Sequence, residues 1–155
     1  MLAEAARALV ASREWFHTID LGHGLVTPGS CTPEYLELFM RNLQFPERFD
    51  GLRVLDIGAY DGFFSFEAEK RGAAHVTAVD VHPFDCRSMK IAHDILGSRV
   101  EYHHVSVYDL DPALLGTFDV VFFFGVFYHL RYPLLAFDHI WRMLKPAAMR
   151  SSKRM

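Results

Sequence analysis

Residues 53–66, with the sequence RVLDIGAYDGFFSF, constrain the fold more than any other part of this 155-residue chain. The stretch begins with the branched apolar residues of a buried parallel strand. Gly58 and Gly62 then permit a sharp turn and a close approach of the backbone to a ligand. From Phe63 the apolar spacing becomes helical, so the free N–H groups of a helix start face that turn. A strand, a glycine turn and a helix in succession predict a turn that binds a nucleotide-like ligand.

The glycine spacing disfavours a dinucleotide site. A G-x-G-x-x-G fingerprint that starts at Gly58 would need glycine where Tyr60 and Phe63 stand. Both side chains are bulky and would obstruct the close approach of a pyrophosphate. The sequence instead has an acid, Asp56, followed by Gly58, Tyr60 and Gly62 at alternate positions. An NAD-type oxidoreductase is therefore disfavoured, while a glycine turn in some other strand–helix unit remains open.

The composition indicates one packed globular unit. Hydrophobic residues make up 51% and aromatic residues 14% of the chain, and a chain of this length buries roughly two-thirds of its unfolded surface. The net charge of −3 provides no overall attraction for nucleic acid, although local basic patches remain open. Cys31 and Cys86 predict neither a disulfide framework nor a zinc site, and we expect a reducing, cytoplasmic environment. No apolar run reaches the roughly 18 residues of a membrane helix, so no membrane contact is expected.

Strands and helices alternate along the chain after residue 50. Strands are predicted at 54–57, 75–79, 100–107 and 118–124, and helices at 63–71, 86–96 and 133–144, with a short turn or helix at 109–115. This alternation predicts an α/β fold, namely a Rossmann-like doubly wound, mostly parallel sheet of about four strands. Six residues supply the apolar positions of the last helix. They are Leu134, Leu135, Phe137, Ile140, Trp141 and Leu144.

Three segments are distinguished by composition. Residues 1–50 form an N-terminal extension, with predicted helices at 2–13 and from Thr32-Pro33 onward, separated by an aromatic loop that packs as a lid. Residues 51–146 form the alternating core. Residues 147–155 are polar and basic, and we expect a disordered tail there.

The ends of the predicted strands carry the groups of chemical interest. A crossover sheet binds ligands at the carboxyl ends of its strands, where the strand order reverses. Each of the four predicted strand ends offers a polar group or a glycine. In chain order these positions are Asp56, Gly58, Tyr60 and Gly62, then Asp80 and Val81, then Tyr108 and Asp109, and finally Gly125, Tyr128 and His129.

Three segments together resemble the class I S-adenosylmethionine-dependent methyltransferases. They are WFHTIDLGHGLVTPG at 15–29, VLDIGAYDGFF at 54–64 and GVFYHLRYP at 125–133. The chain is most similar to the branch that finishes 5-oxyacetyl or 5-methoxy modification of the tRNA wobble uridine. The resemblance covers residues 15 to about 146. It implies methyl transfer from S-adenosyl-L-methionine to an acceptor that is either tRNA or a small molecule.

The resemblance also implies a role for each strand end. Asp56, Gly58 and Gly62 hold the methionine end, Asp80 the ribose, Asp109 the adenine amino group, and Gly125 the methionine amine. Tyr60, Val81 and Tyr108 are further cofactor-binding positions. Tyr128 would face the sulfonium and the acceptor, and His129 is the available base, needed only if the nucleophile carries a proton of ordinary pKa. Plainer interpretations remain open. Asp80 could begin a turn, Asp109 could cap a helix, Tyr128 could belong to the core, and His129 could lie on the surface or cap a helix.

The chain departs from this family in two places. Residues 147–155 lack strand periodicity, so we expect a truncated core with an open apolar edge at residues 120–124 and a tendency to self-associate. No lysine follows Trp15 before Lys70, so the cation expected for a carboxylated cofactor is missing and plain S-adenosylmethionine is predicted. A non-catalytic cofactor-binding fragment is the alternative to an active enzyme. His103 and His104 are adjacent on a predicted strand and face opposite sides, so no metal site is expected.

Overall fold

The computed structural model describes residues 2–86 and 88–146, so the predicted tail at 147–155 lies outside the described residues. Four strands form one parallel sheet in the order β3-β2-β1-β4. The predicted Rossmann-like α/β architecture is therefore confirmed. The strands are β1 (Arg53–Ile57), β2 (His75–Asp80), β3 (Glu101–His104) and β4 (Val120–Phe122).

Helices connect the strands and extend the chain at its N-terminus. The structure has α1 (Leu2–Ala11), α2 (Pro33–Asn42), α3 (Phe63–Lys70), α4 (Ser88–Leu96), α5 (Pro112–Leu115) and α6 (Pro133–Met143). The predicted start of α2 is confirmed, because the Thr32 side chain accepts a hydrogen bond from the Tyr35 amide and Pro33 opens the helix. Among the described helices, none combines the length and apolar character needed to cross a bilayer.

Two apolar layers cover the two faces of the sheet. Side chains alternate along β1, so Val54 points into one layer and Leu55 and Ile57 point into the other. The first layer also contains residues of α3 and α4, including Phe64 and Met89. The second layer contains the inner face of α6. Asp56 shares its face of β1 with Val54, which directs its side chain toward α3 and its Ser65.

The N-terminal extension packs into the first layer. Trp15, Ile19 and Leu21 are buried there, and the Trp15 indole Nε1 donates to the Val10 carbonyl at 2.8 Å. Within the loop, the buried Thr27 hydroxyl donates to the His17 carbonyl and accepts from the Ile19 amide, both at 2.8 Å. The predicted packing of this loop onto the core is thus observed, with Thr27 as its internal brace.

We expect Thr27→Val to lower the free energy of unfolding by about 1–2 kcal/mol, because it leaves an amide and a carbonyl without their buried partner. Urea denaturation measures the change. Thr18→Val is the matched control, since Thr18 makes a longer bond of 3.1 Å to the Gly29 carbonyl in a part-buried position. Equal stability of Thr27→Val and the wild type would contradict the bracing role.

The apolar residues of α6 are not all buried. Leu134 and Trp141 are 79% and 76% exposed, whereas Ala136, Ile140 and Met143 face the sheet. The helix carries apolar residues around most of its circumference, so periodicity alone could not fix its rotation.

The segment that follows α6 forms hydrogen bonds with the residue at position 118, just before the outer edge of β4 begins. Leu144 forms a parallel bridge with Phe118, whose amide donates to the Met143 carbonyl at 2.8 Å. The Lys145 amide donates in turn to the Phe118 carbonyl at 2.9 Å. The segment that follows α6 therefore covers Phe118, just before residues 120–124, and the open edge predicted at 120–124 stays a prediction.

Candidate functional site

The strand order reverses between β1 and β4, which makes their carboxyl ends the expected ligand-binding edge. The loops that follow these strands touch each other. Gly58 has a φ of +75°, and a Cβ at this position would overlap the side chain of Val126. Glycine at position 58 is thus required both by the turn and by the contact between the two loops.

Tyr60 connects the glycine loop to the end of β2. Its φ of 52° places a non-glycine residue in the left-handed region, which costs roughly 1–2 kcal/mol. Its amide donates to Asp80 Oδ2 at 3.1 Å. This hydrogen bond helps to hold the strained loop over the carboxyl end of β2.

The Asp80 carboxylate is held from two sides and is 7% exposed. Besides the Tyr60 amide, the His82 amide donates to Oδ1 at 3.1 Å, and His82 Nδ1 lies 3.0 Å from the same oxygen. Asp80 therefore does begin a turn, as the plainer interpretation proposed. A carboxylate offers about four acceptor positions, so these bonds leave capacity for ligand hydroxyls. Val81 follows directly and is 57% exposed.

Asp56 is buried beneath the glycine loop, where Ser65 Oγ donates to its Oδ2 at 2.6 Å. Burial raises the pKa of the Asp56 carboxyl to about 6. The Ser65 hydrogen bond and His17 lower this pKa, while the carboxylates of Asp61 and Asp80 raise it. The Asp56 carboxylate is thus costly to ionise in the folded chain.

Gly62 has a packing role that the sequence did not reveal. It is buried with a φ of +86°, and a Cβ there would lie 2.6 Å from the Phe66 ring and 2.8 Å from Met89 Cγ. Close packing of α3 and α4 is sufficient to explain this glycine. Its predicted contact with the methionine end of a cofactor stays a prediction.

The end of β3 carries Tyr108 and Asp109 in a single 3-10 turn (Val107–Asp109). The Tyr108 hydroxyl accepts from the Tyr132 amide at 3.0 Å, which joins this turn to the start of α6. Asp109 is exposed. The cap of α5 is Asp111, which accepts from the Ala113 amide at 2.8 Å, so the capping interpretation of Asp109 was wrong.

The segment after β4 presents its polar side chains to solvent. Gly125 has a φ of +71°, and the Tyr128 hydroxyl lies 3.6 Å from the position of a Cβ there. Tyr128 is 75% exposed, so its interpretation as a core residue was wrong. His129 is also exposed, with its ring centroid 4.4 Å from that of Tyr128. Both side chains are open to an incoming molecule, and their catalytic roles stay predictions.

Asp61 belongs to this edge and was missed by the sequence analysis. Its buried carboxylate accepts from the amides of Phe16 and His17 at 3.0 and 2.8 Å and lies 2.6 Å from His17 Nδ1. With Asp56 and Asp80 it places three buried carboxylates around the glycine loop. The one available signal was an acid between Tyr60 and Gly62, directly before a helix.

Two surface hollows lie away from this edge. One is lined by residues near the amino end of β2, including His75, and the other by α2 and Arg71. Neither hollow is lined by the residues at the carboxyl ends of the strands. Over the described ranges 2–86 and 88–146, no three His, Cys, Asp or Glu side chains group as metal ligands.

A family model described as "Methyltransferase domain" matches residues 55–149, which include the glycine loop and the ends of all four strands. The chain belongs to this family. The predicted resemblance to class I methyltransferases is thereby confirmed at the level of the family and the fold.

Curated relatives of the methyltransferase domain carry two kinds of name. The ubiquinone biosynthesis O-methyltransferase of Cereibacter sphaeroides is 30% identical over 156 residues, which is 95% of this chain and 61% of the relative. The tRNA U34 carboxymethyltransferase of Geobacter sp. is 33% identical over 95 residues, or 60% of this chain and 28% of the relative. The chain thus spans 61% of the length of the first of these relatives.

Solved structures share the fold of the methyltransferase domain. The N-terminal domain of EvdMO1, crystallised with SAH, superposes with a TM-score of 0.71 at 23% identity, covering 93% of this chain and 62% of that one. The N-methyltransferase NodS of Bradyrhizobium japonicum, also in complex with S-adenosylhomocysteine, gives 0.61 at 18% identity, covering 91% and 68%. At these identities the likeness concerns the fold.

Proposed function

We propose that this methyltransferase domain binds S-adenosyl-L-methionine at the carboxyl ends of its four strands and transfers its methyl group to an acceptor. The observation that carries the proposal is the Asp80 carboxylate, which the Tyr60 amide holds at the end of β2. A carboxylate at this point, with acceptor capacity left, suits two neighbouring ribose hydroxyls.

The charge of the edge supports a cationic cofactor. Asp56, Asp61 and Asp80 are buried carboxylates around one loop. S-adenosylmethionine carries a sulfonium and an ammonium group, which such surroundings attract, whereas the pyrophosphate of NAD would be repelled. The side chain of Tyr60 adds bulk where a dinucleotide loop needs glycine. The residues present therefore fit S-adenosylmethionine better than a dinucleotide.

Each strand end then receives one part of the cofactor. Asp80 and the exposed Val81 take the ribose side, and Tyr108 and Asp109 the adenine. Asp56, Gly58 and Gly125 surround the methionine end, beside Tyr60 and Gly62 in the glycine loop. These roles follow the family resemblance, and the placement of Asp80, Val81 and Asp109 at consecutive strand ends is compatible with them.

Methyl transfer depends more on the alignment of the cofactor and the acceptor than on reactive side chains. When bound, S-adenosylmethionine supplies an electrophilic methyl group for in-line displacement, and fixed geometry provides most of the rate enhancement. Tyr128 would orient the acceptor, and His129 would accept its proton where the nucleophile carries one. The acceptor is a small molecule or the tRNA wobble uridine, and the setting is cytoplasmic. A non-catalytic cofactor-binding fragment is the alternative.

The cofactor is proposed to be plain S-adenosylmethionine. A carboxylated form would need a fixed cation beside its extra carboxylate. His17, the first residue after Trp15 that could provide one, lies with its Nδ1 2.6 Å from Asp61 Oδ1. A further anion near Asp56, Asp61 and Asp80 would be repelled and costly to desolvate.

We expect calorimetry to detect binding of S-adenosylhomocysteine and no binding of NAD at equal concentration. We also expect carboxy-S-adenosylmethionine to compete at least about tenfold more weakly than S-adenosylmethionine, which corresponds to about 1.4 kcal/mol. Binding of NAD alone would contradict the proposal, and tighter binding of the carboxylated form would contradict the choice of cofactor. Transfer of a labelled methyl group to total tRNA or to small phenols distinguishes an enzyme from a binding fragment.

A further inference from the structure

The Asp61 carboxylate has no part in the proposed cofactor contacts, yet it is completely buried. Its three hydrogen-bond partners come from the N-terminal extension, namely the amides of Phe16 and His17 and the His17 ring. An ionised carboxylate only accepts hydrogen bonds, so the His17 ring would donate from Nδ1 to an ionised Asp61. Burial of an unpartnered carboxylate costs several kcal/mol. The N-terminal extension is therefore what makes this acid tolerable in the glycine loop.

The His17 ring is fixed by packing as well as by its bond to Asp61. It stacks on the Phe63 ring at a centroid distance of 5.1 Å and meets the Phe64 ring edge-on at 5.5 Å. The backbone of Gly29 packs directly on that of His17, where a Cβ would not fit. His17 thus joins the N-terminal loop to the start of α3 through its ring and through its backbone.

Phe16 differs from its two neighbours in being exposed. Its side chain is 50% exposed, while Trp15 and His17 are largely buried. Its amide is bound to Asp61, and its carbonyl accepts from the Cys31 amide at 2.8 Å, so the backbone that carries the ring is held on both sides. The Phe16 ring meets the Tyr60 ring edge-to-face at 6.4 Å. Tyr60 is the residue whose amide holds the predicted ribose-binding carboxylate.

We propose that His17 is a positioning residue, which acts through Asp61 to hold the rings of Phe16 and Tyr60 as an aromatic wall beside the bound cofactor. This inference rests on the proposed function. An aromatic wall would exclude water from the cofactor, and ring faces attract cationic groups such as a sulfonium. The wall joins two parts of the chain that are far apart in sequence, so it requires a connection such as the pair of His17 and Asp61.

Three substitutions separate the hydrogen bond from the packing of the ring. His17→Phe keeps a ring against Phe63 and removes the donor to Asp61. His17→Asn removes the ring but places an amide nitrogen near the position of Nδ1, so the donor is kept. His75→Phe is the matched control, because His75 lies at the opposite, amino end of β2 with its side chain 25% exposed.

We expect His17→Phe to bind S-adenosylhomocysteine about tenfold more weakly, the effect of losing one charge-assisted hydrogen bond, with recovery in His17→Asn and no change in His75→Phe. Hydrogen exchange adds a readout that loss of stability alone would not reproduce. Saturating S-adenosylhomocysteine should slow exchange of the Phe16 and His17 amides in the wild type and in His17→Asn. It should leave these amides unchanged in His17→Phe.

Phe16→Ala tests the wall without disturbing the bond between His17 and Asp61. We expect weaker binding of S-adenosylmethionine, whose sulfonium loses a ring face, by about three- to tenfold, with a small shift in Tm because Phe16 is half exposed. Unchanged affinity in both His17→Phe and Phe16→Ala, with binding by the wild type, would overturn this inference alone. If His17→Phe does not fold, unchanged affinity in Phe16→Ala overturns it. No binding by the wild type would overturn the proposed function as well.

Discussion

Replacing Asp80 by alanine is expected to weaken binding of S-adenosylhomocysteine by about 2–3 kcal/mol, or roughly 30- to 150-fold. The substitution removes the carboxylate proposed to accept both ribose hydroxyls. It also removes the partner of the Tyr60 amide, whose residue is held in a left-handed conformation. The ribose contacts and the hydrogen bond to the Tyr60 amide are both lost at the edge of the sheet where the cofactor is proposed to bind. A large effect on affinity is therefore expected from this one side chain.

Isothermal titration calorimetry measures this effect on folded variants. Asp94→Ala is the matched control, because Asp94 is an exposed acid on α4 that pairs with Lys90. We expect the control to bind like the wild type. Wild-type affinity in a folded Asp80→Ala variant would remove Asp80 from the site, and with it the assignment of the ribose to the end of β2.

Asp56→Asn is expected to raise the free energy of unfolding by about 1–3 kcal/mol at pH 7.5. The pKa of the Asp56 carboxyl is raised by burial to about 6 from an ordinary value of 3.8. The folded chain therefore keeps this proton over a range in which the unfolded chain loses it. The folded state loses stability as the pH rises from about 4 to about 6, and a neutral amide avoids that loss.

Urea denaturation at pH 3.5, 5 and 7.5 measures the predicted dependence. At pH 3.5 the wild-type carboxyl is protonated in the folded chain and mostly protonated in the unfolded chain, so most of the advantage of Asp56→Asn should be lost. Asp94→Asn provides a contrast, because its hydrogen bond to Lys90 lowers the pKa of Asp94 and the substitution should slightly destabilise the chain at pH 7.5. A less stable Asp56→Asn variant at pH 7.5 would contradict the raised pKa.

The same variant relates stability to function. If the ionised Asp56 is retained to attract the ammonium group of the cofactor, Asp56→Asn should be more stable and should bind S-adenosylhomocysteine more weakly. A trade-off between stability and binding is common at functional sites where a buried charge destabilises the fold but contacts the ligand. Greater stability with unchanged affinity would assign Asp56 a purely structural role.

Local patterns predicted the parts of the fold that local residues determine. The glycine corner from β1 to α3 depends on Gly58 and on apolar spacing within a few residues, and both are visible in the sequence. The third and fourth strands were predicted as 100–107 and 118–124, but β3 and β4 are shorter. Both outer strands pair only where a neighbouring strand lies alongside, and a propensity pattern does not contain that limit.

The features that could not be predicted from the sequence are mainly contacts between segments far apart in the chain. The pair of His17 and Asp61 joins positions 44 residues apart, so neither residue signals its partner locally. The rotation of α6 could not be predicted, because Leu134 and Trp141 are as apolar as the residues that face the sheet. Asp111 was passed over as the cap of α5 because Asp109 is an equally good capping residue. In each case the outcome depends on packing across the chain.

A crystal structure of the complex with S-adenosylhomocysteine tests the central claim most directly. We expect the ligand at the carboxyl ends of the four strands, with both ribose hydroxyls within about 3 Å of the Asp80 carboxylate oxygens. The methionine end should lie against Gly58 and Gly125. A ligand bound at another edge of the sheet, or a ribose that faces away from Asp80, would contradict the proposed site.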